Sequence, residues 1–417
     1  MKFINNQKGY VVLIITFFIM IIMLSVALTM SSQIALEQKT ATSAVKSTQA
    51  YYAAESGIED ALQILRKDPQ FLSATYTADY TLDVNGATAI VNIPIILGGA
   101  RAVTSQGNNR SMIRKIQTVY KMDSQGVTFY YGVQTGDGGL IMNNGSRVMG
   151  NVYSSGNISG SGTIDNNAVV SGNGNSIQGV HVKGNALAFT CDNATIDGNL
   201  TYVTGGSYDT CTYGSLAQQS QPVSEQPLPI PDQQITDWKN QFTPEQTISG
   251  DVTLSNNETR HMGPVKIMGS LSLGNKSTLI LTGTIYVQGN ITFGTNDTIK
   301  LDGSYSSLGG VVIADGTIAT KTDCTFFGSG QEGSYLLMLS TSILSSAISL
   351  KNNSAGAAFY ASAGGIDIPN NVSVLEATGY KLTLGNGAEI QQSTGTINIF
   401  FSSGPAGGWR VASWSEQ

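Results

Sequence analysis

The chain has 417 residues, 41% of them hydrophobic and only 12% charged, with 48 glycines and a formal net charge of -6. Few charges, abundant Asn, Ser and Thr, and preserved hydrophobic alternation exclude a disordered chain and indicate a β-rich extracellular protein of two or three domains. No basic run follows residue 8, which excludes a nucleic-acid groove built on phosphate neutralisation.

Residues 9 to 36 carry no charged side chain. From Tyr10 to Met30 only Thr16, Ser25 and Thr29 interrupt the apolar run, and about 21 helical residues cover roughly 31 Å of hydrocarbon, a full membrane span. Lys2 and Lys8 stay on the cytoplasmic side, so the bulk of the chain is expected outside. A secretory signal would have a shorter apolar core followed by a small-residue cleavage site.

The junction Lys8-Gly9-Tyr10 in front of a long hydrophobic helix resembles the class III signal of type IV pilins and pseudopilins. The resemblance implies cleavage by a membrane prepilin peptidase between Gly9 and Tyr10, followed by methylation of the new amino terminus. It also implies partners in the cytoplasmic membrane and later in a surface filament, where the N-terminal helix packs among those of other pilin subunits. Tyr10 stands where phenylalanine is usual. The fifth residue of the mature chain would be Ile14, where major pilins carry a glutamate; its loss resembles PilX-type and GspK-type minor subunits, some of them at the filament tip. The other reading of this segment is a plain signal anchor.

The helical period continues from Gln33 to about Lys67, with Ala41, Val45, Thr48, Tyr52, Glu55, Ile58, Leu62 and Leu65 on one stripe, and stops at Asp68-Pro69. Gln49-Ala50-Tyr51-Tyr52-Ala53-Ala54-Glu55-Ser56-Gly57-Ile58 resembles the alanine-rich stretch after the membrane span of PilX-type proteins. Period two follows. Tyr76, Tyr80, Leu82 and Val84 lead into Asn85-Gly86, a two-residue hairpin signal, and Ala89, Val91 and Ile93 return from it. A second strand pair is drawn across Gly107-Asn108-Asn109. Arg110, Arg114, Lys115 and Lys121 read as a solvated basic face.

From Phe129 onward a pentad of glycine, small polar, aliphatic, polar and apolar residues recurs, as at Gly150-Asn-Val-Tyr-Ser, Gly198-Asn-Leu-Thr-Tyr and Gly289-Asn-Ile-Thr-Phe. Its starts at 250, 269, 289 and 309 keep a nearly constant step of about 20 residues, the kind of period that marks a solenoid. Short strands at such a step suit a parallel β-helix, with Gly and Asn at positive-φ corners; an antiparallel sandwich or jelly roll is the competing fold. Cys191 and Cys211 would then sit in adjacent coils as a candidate disulfide, leaving Cys324 buried and free.

Residues 215 to 248 contain five of the ten prolines and a short amphipathic helix capped by Asp232, with Ile235, Trp238 and Phe242 on one face. This segment reads as a bridge that leaves the repeat and re-enters it. Ser334 to Ser340 reads as a strand buried on both sides. In the tail, Trp409 and Trp414 on a glycine loop, together with Trp238, are candidates for an aromatic surface or an end cap.

The fold class expected is therefore a long N-terminal α-helix with a small α/β pilin-like head, followed by a mainly-β right-handed parallel β-helix. Its segments are a leader (1–9), a membrane and filament-core helix (10–30), the small α/β domain (31–125), a first β-helical part (126–214), the bridge (215–248), and a second β-helical part with a C-terminal cap (249–417). Asp165, Asp192, Asp197, Asp209, Asp297, Asp302, Asp315 and Asp323 sit beside turn residues, without the carboxylate cluster that a polysaccharide-acting enzyme needs. Gly136-Asp137-Gly138-Gly139 is a single copy of a calcium-turn pattern. No catalytic residue, metal or cofactor is called. The function expected is a low-copy, pilin-like surface protein whose β-helical head binds glycans or another cell surface, with no nucleic acid. The alternatives are a signal-anchored envelope protein without a filament role and a β-helical polysaccharide enzyme.

Overall fold

The computed structural model describes residues 7–67, 78–94, 100–122, 124–392, 398–402 and 409–417. The leader residues 1–6, the helix stop at Asp68-Pro69 and Tyr76 lie outside them. A single helix, α1 (Gln7–Lys67), runs for 61 residues. Its last turns lie on an antiparallel sheet of β1 (Ala78–Val84), β2 (Ala87–Ile93), β3 (Ala100–Asn109), β4 (Met112–Met122) and the C-terminal strand Trp409–Glu416, paired in that order. Asn85 and Gly86, at φ 51° and 80°, make the first hairpin turn. The second turn falls at Arg110-Ser111, φ 46° and 73°, not at 107–109. The glycine there has another use: Gly107 lies against the helix.

The C-terminal strand corrects a second expectation. It pairs antiparallel with β4, Trp409 opposite Met122, so the tail completes the small sheet instead of capping the far end of the large domain. Everything between is an insertion in that sheet. A two-stranded neck joins the two parts, formed by β5 (Ser124–Thr128) and Asn398–Ser402.

The large domain is mainly parallel sheet: 31 of the described strands form one sheet in which a strand pairs with those about three positions before and after it. Three short strands thus make one rung, and rungs stack. Steps such as Leu271 to Ile291 and Thr278 to Thr298 keep the length that the repeat predicts. Each rung turns one set of side chains inward. Met338, Phe359, Ala377, Val133, Val152 and Ala168 lie in register on successive rungs, all buried. Phe293, Phe326 and Phe359 stack edge to face at 5.6 and 5.5 Å inside the second half.

That row contains the main departure from a chain-order stack. The rungs of the second half do not continue from those of the first: Ala377–Leu384 pairs in parallel with β6 (Val133–Met142), and Glu389-Ile390 with Arg147-Val148. The last rungs therefore seat on the first rung, and the bridge carries the chain between the two ends of a single stack. It runs along one outer face. Tyr153 Oη donates to the Ser224 carbonyl at 3.3 Å, Gln134 Nε2 to Pro227 O at 2.9 Å and Tyr360 Oη to Ile230 O at 2.8 Å. Farther on, α2 (Asp232–Lys239) buries Ile235 and Trp238 against Val311, Ile313, Leu337 and Leu339. This explains why Gly310–Ala314 and Leu336–Ser340 are buried at every residue: one face meets the interior and the other meets the bridge. Pro231, in extended backbone, precedes α2, and Asp232 is its first residue instead of its cap.

Asparagines and glycines take positive-φ corners as expected, at Asn193, Asn257, Asn296, Asn353 and Asn371 among others, and the pentad adds a second use of both residues. Asn side chains form ladders between rungs: the backbone N–H groups of Asn167, Asn185 and Asn199 donate to the Oδ1 atoms of Asn151, Asn167 and Asn185 at 3.2, 2.9 and 2.8 Å. The glycine before the Asn is required by close approach. A Cβ at Gly198 would lie 2.5 Å from Asn185 Oδ1, and one at Gly289 2.5 Å from Ser270 Oγ. Among the pentad starts quoted, Gly250 alone has positive φ. The glycine in register with Gly289 is Gly316, whose N–H reaches Gly289 O at 3.1 Å; the start at 309 belongs to a different face of the rung.

Beside the junction, Glu376 is fully buried. Its Oε1 accepts from Thr378 Oγ1, and its Oε2 has no hydrogen-bond partner among the described residues. Burial pushes its carboxyl well above the ordinary value. The folded chain thus holds this proton more tightly than the unfolded one, so stability is full below the ordinary glutamate range and falls as pH rises toward the elevated folded value. Glu376→Gln is expected to unfold at a higher temperature than the native chain at pH 8 and to match it near pH 4. Parallel melting curves at both pH values would contradict this.

Candidate functional site

The feature with an evident surface role is α1. From Tyr10 to Leu28 its large apolar side chains are exposed, and among the described residues it is one helix long and apolar enough to cross a membrane. Its hydroxyls are satisfied within the helix: Thr16 Oγ1 donates to Leu13 O at 2.9 Å, Ser25 Oγ to Ile22 O at 2.8 Å and Thr29 Oγ1 to Ser25 O at 2.8 Å. Lys8 and Gly9 lie in its first turn, and Tyr10 and Ile14 follow on the exposed surface. Ile14 puts an aliphatic group where a charge would need a partner in an apolar environment.

The alanine-rich segment binds the other half of α1 to the sheet. Ala50, Ala53, Ala54, Ile58, Ala61 and Leu65 are buried on Ala89, Val91, Val103 and Ile116. Small residues let the backbones meet: a Cβ on Gly107 would lie 1.8 Å from Ala50 O, and one on Gly57 2.4 Å from Ser105 Oγ. Tyr120 Oη donates to Ile58 O at 3.2 Å, and Tyr80 Oη to Asp60 Oδ2 at 2.7 Å, where burial and that carboxylate raise the phenol. Arg114 is held by Ser47 Oγ at 2.7 Å and Glu416 at 3.0 Å, linking helix, β4 and C-terminal strand, so it is not simply part of a solvated basic face.

Cys191 and Cys211 are disulfide-bonded, with Cα atoms 6.1 Å apart. They are not register partners: the rung step here is shorter, Thr195 to Thr212, and the bond crosses the loop before the last rung. Cys324 is buried, its Sγ on Gly294 O, and burial pushes the thiol up to about 11. Trp238 is buried on the inner side of the bridge and forms no surface. Trp414 is half exposed, its ring 6.2 Å from Tyr51 on α1.

Most of the aspartates are engaged one by one; Asp209 lies with Asp192 along a shallow polar groove. Arg147 and Lys183 hold Asp165 at 2.6 and 2.9 Å, and although burial opposes it, their hydrogen bonds keep its carboxyl below the ordinary value. Asp315 is likewise lowered against burial by Lys239 at 2.5 Å and Tyr286 Oη at 2.6 Å; the latter's phenol is pushed up to about 12 by burial and this contact. Asp297 is buried and accepts from the N–H groups of Ser277 and Gly294, Asp192 accepts from Gln178 and Thr210, and Asp197 lies 3.0 Å from His181. Asp323 binds Asn353 Nδ2 at 2.9 Å. Among the described residues no three His, Cys, Asp or Glu side chains gather as a metal site.

No family model and no curated relative matches the chain. Among solved structures, the crystal structure of competence-associated pilin ComZ from Thermus thermophilus aligns over 89% of this chain and 97% of its own, at 10% identity and a TM-score of 0.30. A superposition that loose carries no weight. The functional reading rests on the chain's own geometry.

The contact at Gly107 can be tested directly. Gly107→Ala forces a methyl group into the Ala50 backbone and is expected to cost about 1–3 kcal/mol, the range of an overpacked core. Hydrogen exchange should show lost protection in residues 50–65 of α1; unchanged protection would contradict the contact.

Proposed function

We propose that this protein is a pilin-like surface subunit. One observation carries the reading: a continuous helix in which residues 10–30 present only apolar side chains and internally bonded hydroxyls, while its second half is clamped by small residues to a compact antiparallel sheet. Such a helix suits lipid before assembly and the apolar core of a filament after it, in contact with the helices of other subunits. The Lys8-Gly9-Tyr10 junction supports processing by a prepilin peptidase with methylation at Tyr10, and Ile14 supports a minor, PilX-like or GspK-like subunit with no charge to pair inside the filament.

The large domain is read as a right-handed parallel β-helix, supported by the three-strand rungs, the parallel register and the strong right-handed preference of parallel crossovers. Its bulk, inserted between β4 and the C-terminal strand, favours low copy number or a tip position, because it would crowd a close-packed shaft. Its role is adhesion to glycans or to another cell surface rather than catalysis. The engagement of the aspartates in ladders, turns and ion pairs supports that choice.

The test is the mass of the mature amino-terminal peptide from cells carrying a prepilin peptidase. A chain starting at methylated Tyr10 is expected. Retention of Met1 to Gly9 would overturn the filament role and leave a signal-anchored envelope protein.

A further inference from the structure

The face formed by Thr259–Met262, Thr278–Leu281, Thr298–Leu301 and Thr325–Phe327 is not the one covered by the bridge. Here His261, Ile280, Lys300 and Phe327 stand in register on four successive rungs. The spacing then changes. The rungs from Thr298 to Thr325 and from Thr325 to Ala355 are both longer than the one from Thr278 to Thr298. The extra residues, 303–309 and 328–333, leave the stack at the same corner. They are tied together by Ser329 Oγ to Ser306 O and Ser334 Oγ to Leu308 O at 2.8 Å. Together they wall a groove of about 450 Å³ beside the column, within the range of ligand sites.

The groove holds chemistry that neither the core nor the ladders use. Phe327 is 53% exposed, although the neighbouring Phe326 is buried. Lys300 is exposed and has no ion-pair partner among the described residues, in a chain whose net charge is -6. Asp302 lines the groove, its Oδ1 accepting from Ser304 N and its Oδ2 lying 3.9 Å from His261 Nδ1; Gln331 adds an exposed amide. An aromatic face, an aliphatic neighbour, one free cation and a hydrogen-bonding rim match a sugar that carries a carboxylate.

Other ligand classes fit less well. A nucleic acid strand needs several cations along its phosphates, and the column offers one lysine. An added peptide strand needs a free sheet edge, but the central strands here are paired on both sides. Rungs recur at about 4.8 Å, close to the length of one sugar unit in an extended β-linked chain.

We propose that this groove binds a β-linked acidic polysaccharide lying along the stack, about one sugar per rung, with a carboxylate on Lys300 and a sugar face on Phe327. The proposal deepens the adhesive reading above, since the groove must face the exterior to meet such a polymer.

The test is calorimetric titration of the full chain in detergent with a β-linked mannuronate hexasaccharide, with cellohexaose as the neutral probe and a single-stranded dodecanucleotide as the other polyanion. The hexamannuronate should bind. Lys300→Gln should weaken it about tenfold or more, the loss of one charge-assisted hydrogen bond, with little effect on cellohexaose. Phe327→Ala should weaken both sugars about three- to tenfold. Both side chains are exposed, and unchanged melting temperatures would separate lost binding from lost fold. No binding of hexamannuronate at millimolar concentration, binding indifferent to both substitutions, or tighter binding of the oligonucleotide through Lys300 would overturn the site. A chain that binds the sugar but keeps residues 1–9 would refute the filament role and leave the groove intact.

Discussion

A rung of about 20 residues cannot bury its own apolar face, so each interior rung needs a neighbour above and below. The first rung, begun by Val133 and Leu140, finds one neighbour in the next stretch of chain and the other in residues 376–390, which the chain reaches last. Much of the large domain follows from that closure. The two halves must approach the same rung from opposite directions, so the chain must cross the length of the stack between them. The bridge makes that crossing, and the face beneath it becomes a second apolar layer around Trp238, Tyr286, Leu339 and Tyr360.

The same closure decides where the large domain meets the helix. Both ends of the insertion emerge at the junction, inside the stack instead of at one of its tips, and pair as the neck formed by β5 and Asn398–Ser402. The small sheet is completed by strands from both sides of the insertion, β4 and the C-terminal strand, with Arg114 and Glu416 joined across them. The apolar rod, its sheet and the stack are thus connected through paired backbone. The column of His261, Ile280, Lys300 and Phe327 lies on strands other than those the bridge covers.

Local rules made much of this legible. The long helix, the Asn85-Gly86 turn and the strand buried on both faces depend on residues close in sequence; the step near 20 residues holds from Thr259 to Leu301, while the rungs before and after it are shorter or longer. The junction left no such mark. Pairing of Ala377 with Val133 depends on which of many similar strands meet, and alternation specifies a strand without naming its partner. For the same reason the strand at Trp409 read as a cap. Positive-φ corners such as Asn257 and Asn296 follow from local turn chemistry, whereas the pentad Asn side chain accepts a hydrogen bond from the next rung, an interaction visible only once rungs are aligned. Lys300 and Phe327 belong to different repeats, and nothing local in the sequence places them side by side.

The closure can be tested by cross-linking. Ile141 and Thr383, far apart in sequence, are register partners at the junction, and neighbouring strands lie about 4.8 Å apart, within reach of a disulfide. In the double variant Ile141→Cys and Thr383→Cys, mild oxidation should form an intramolecular disulfide in the folded chain, detected as a cross-linked peptide pair. Failure to form it, with the fold intact, would mean that the second half does not seat on the first rung and would contradict the single continuous stack.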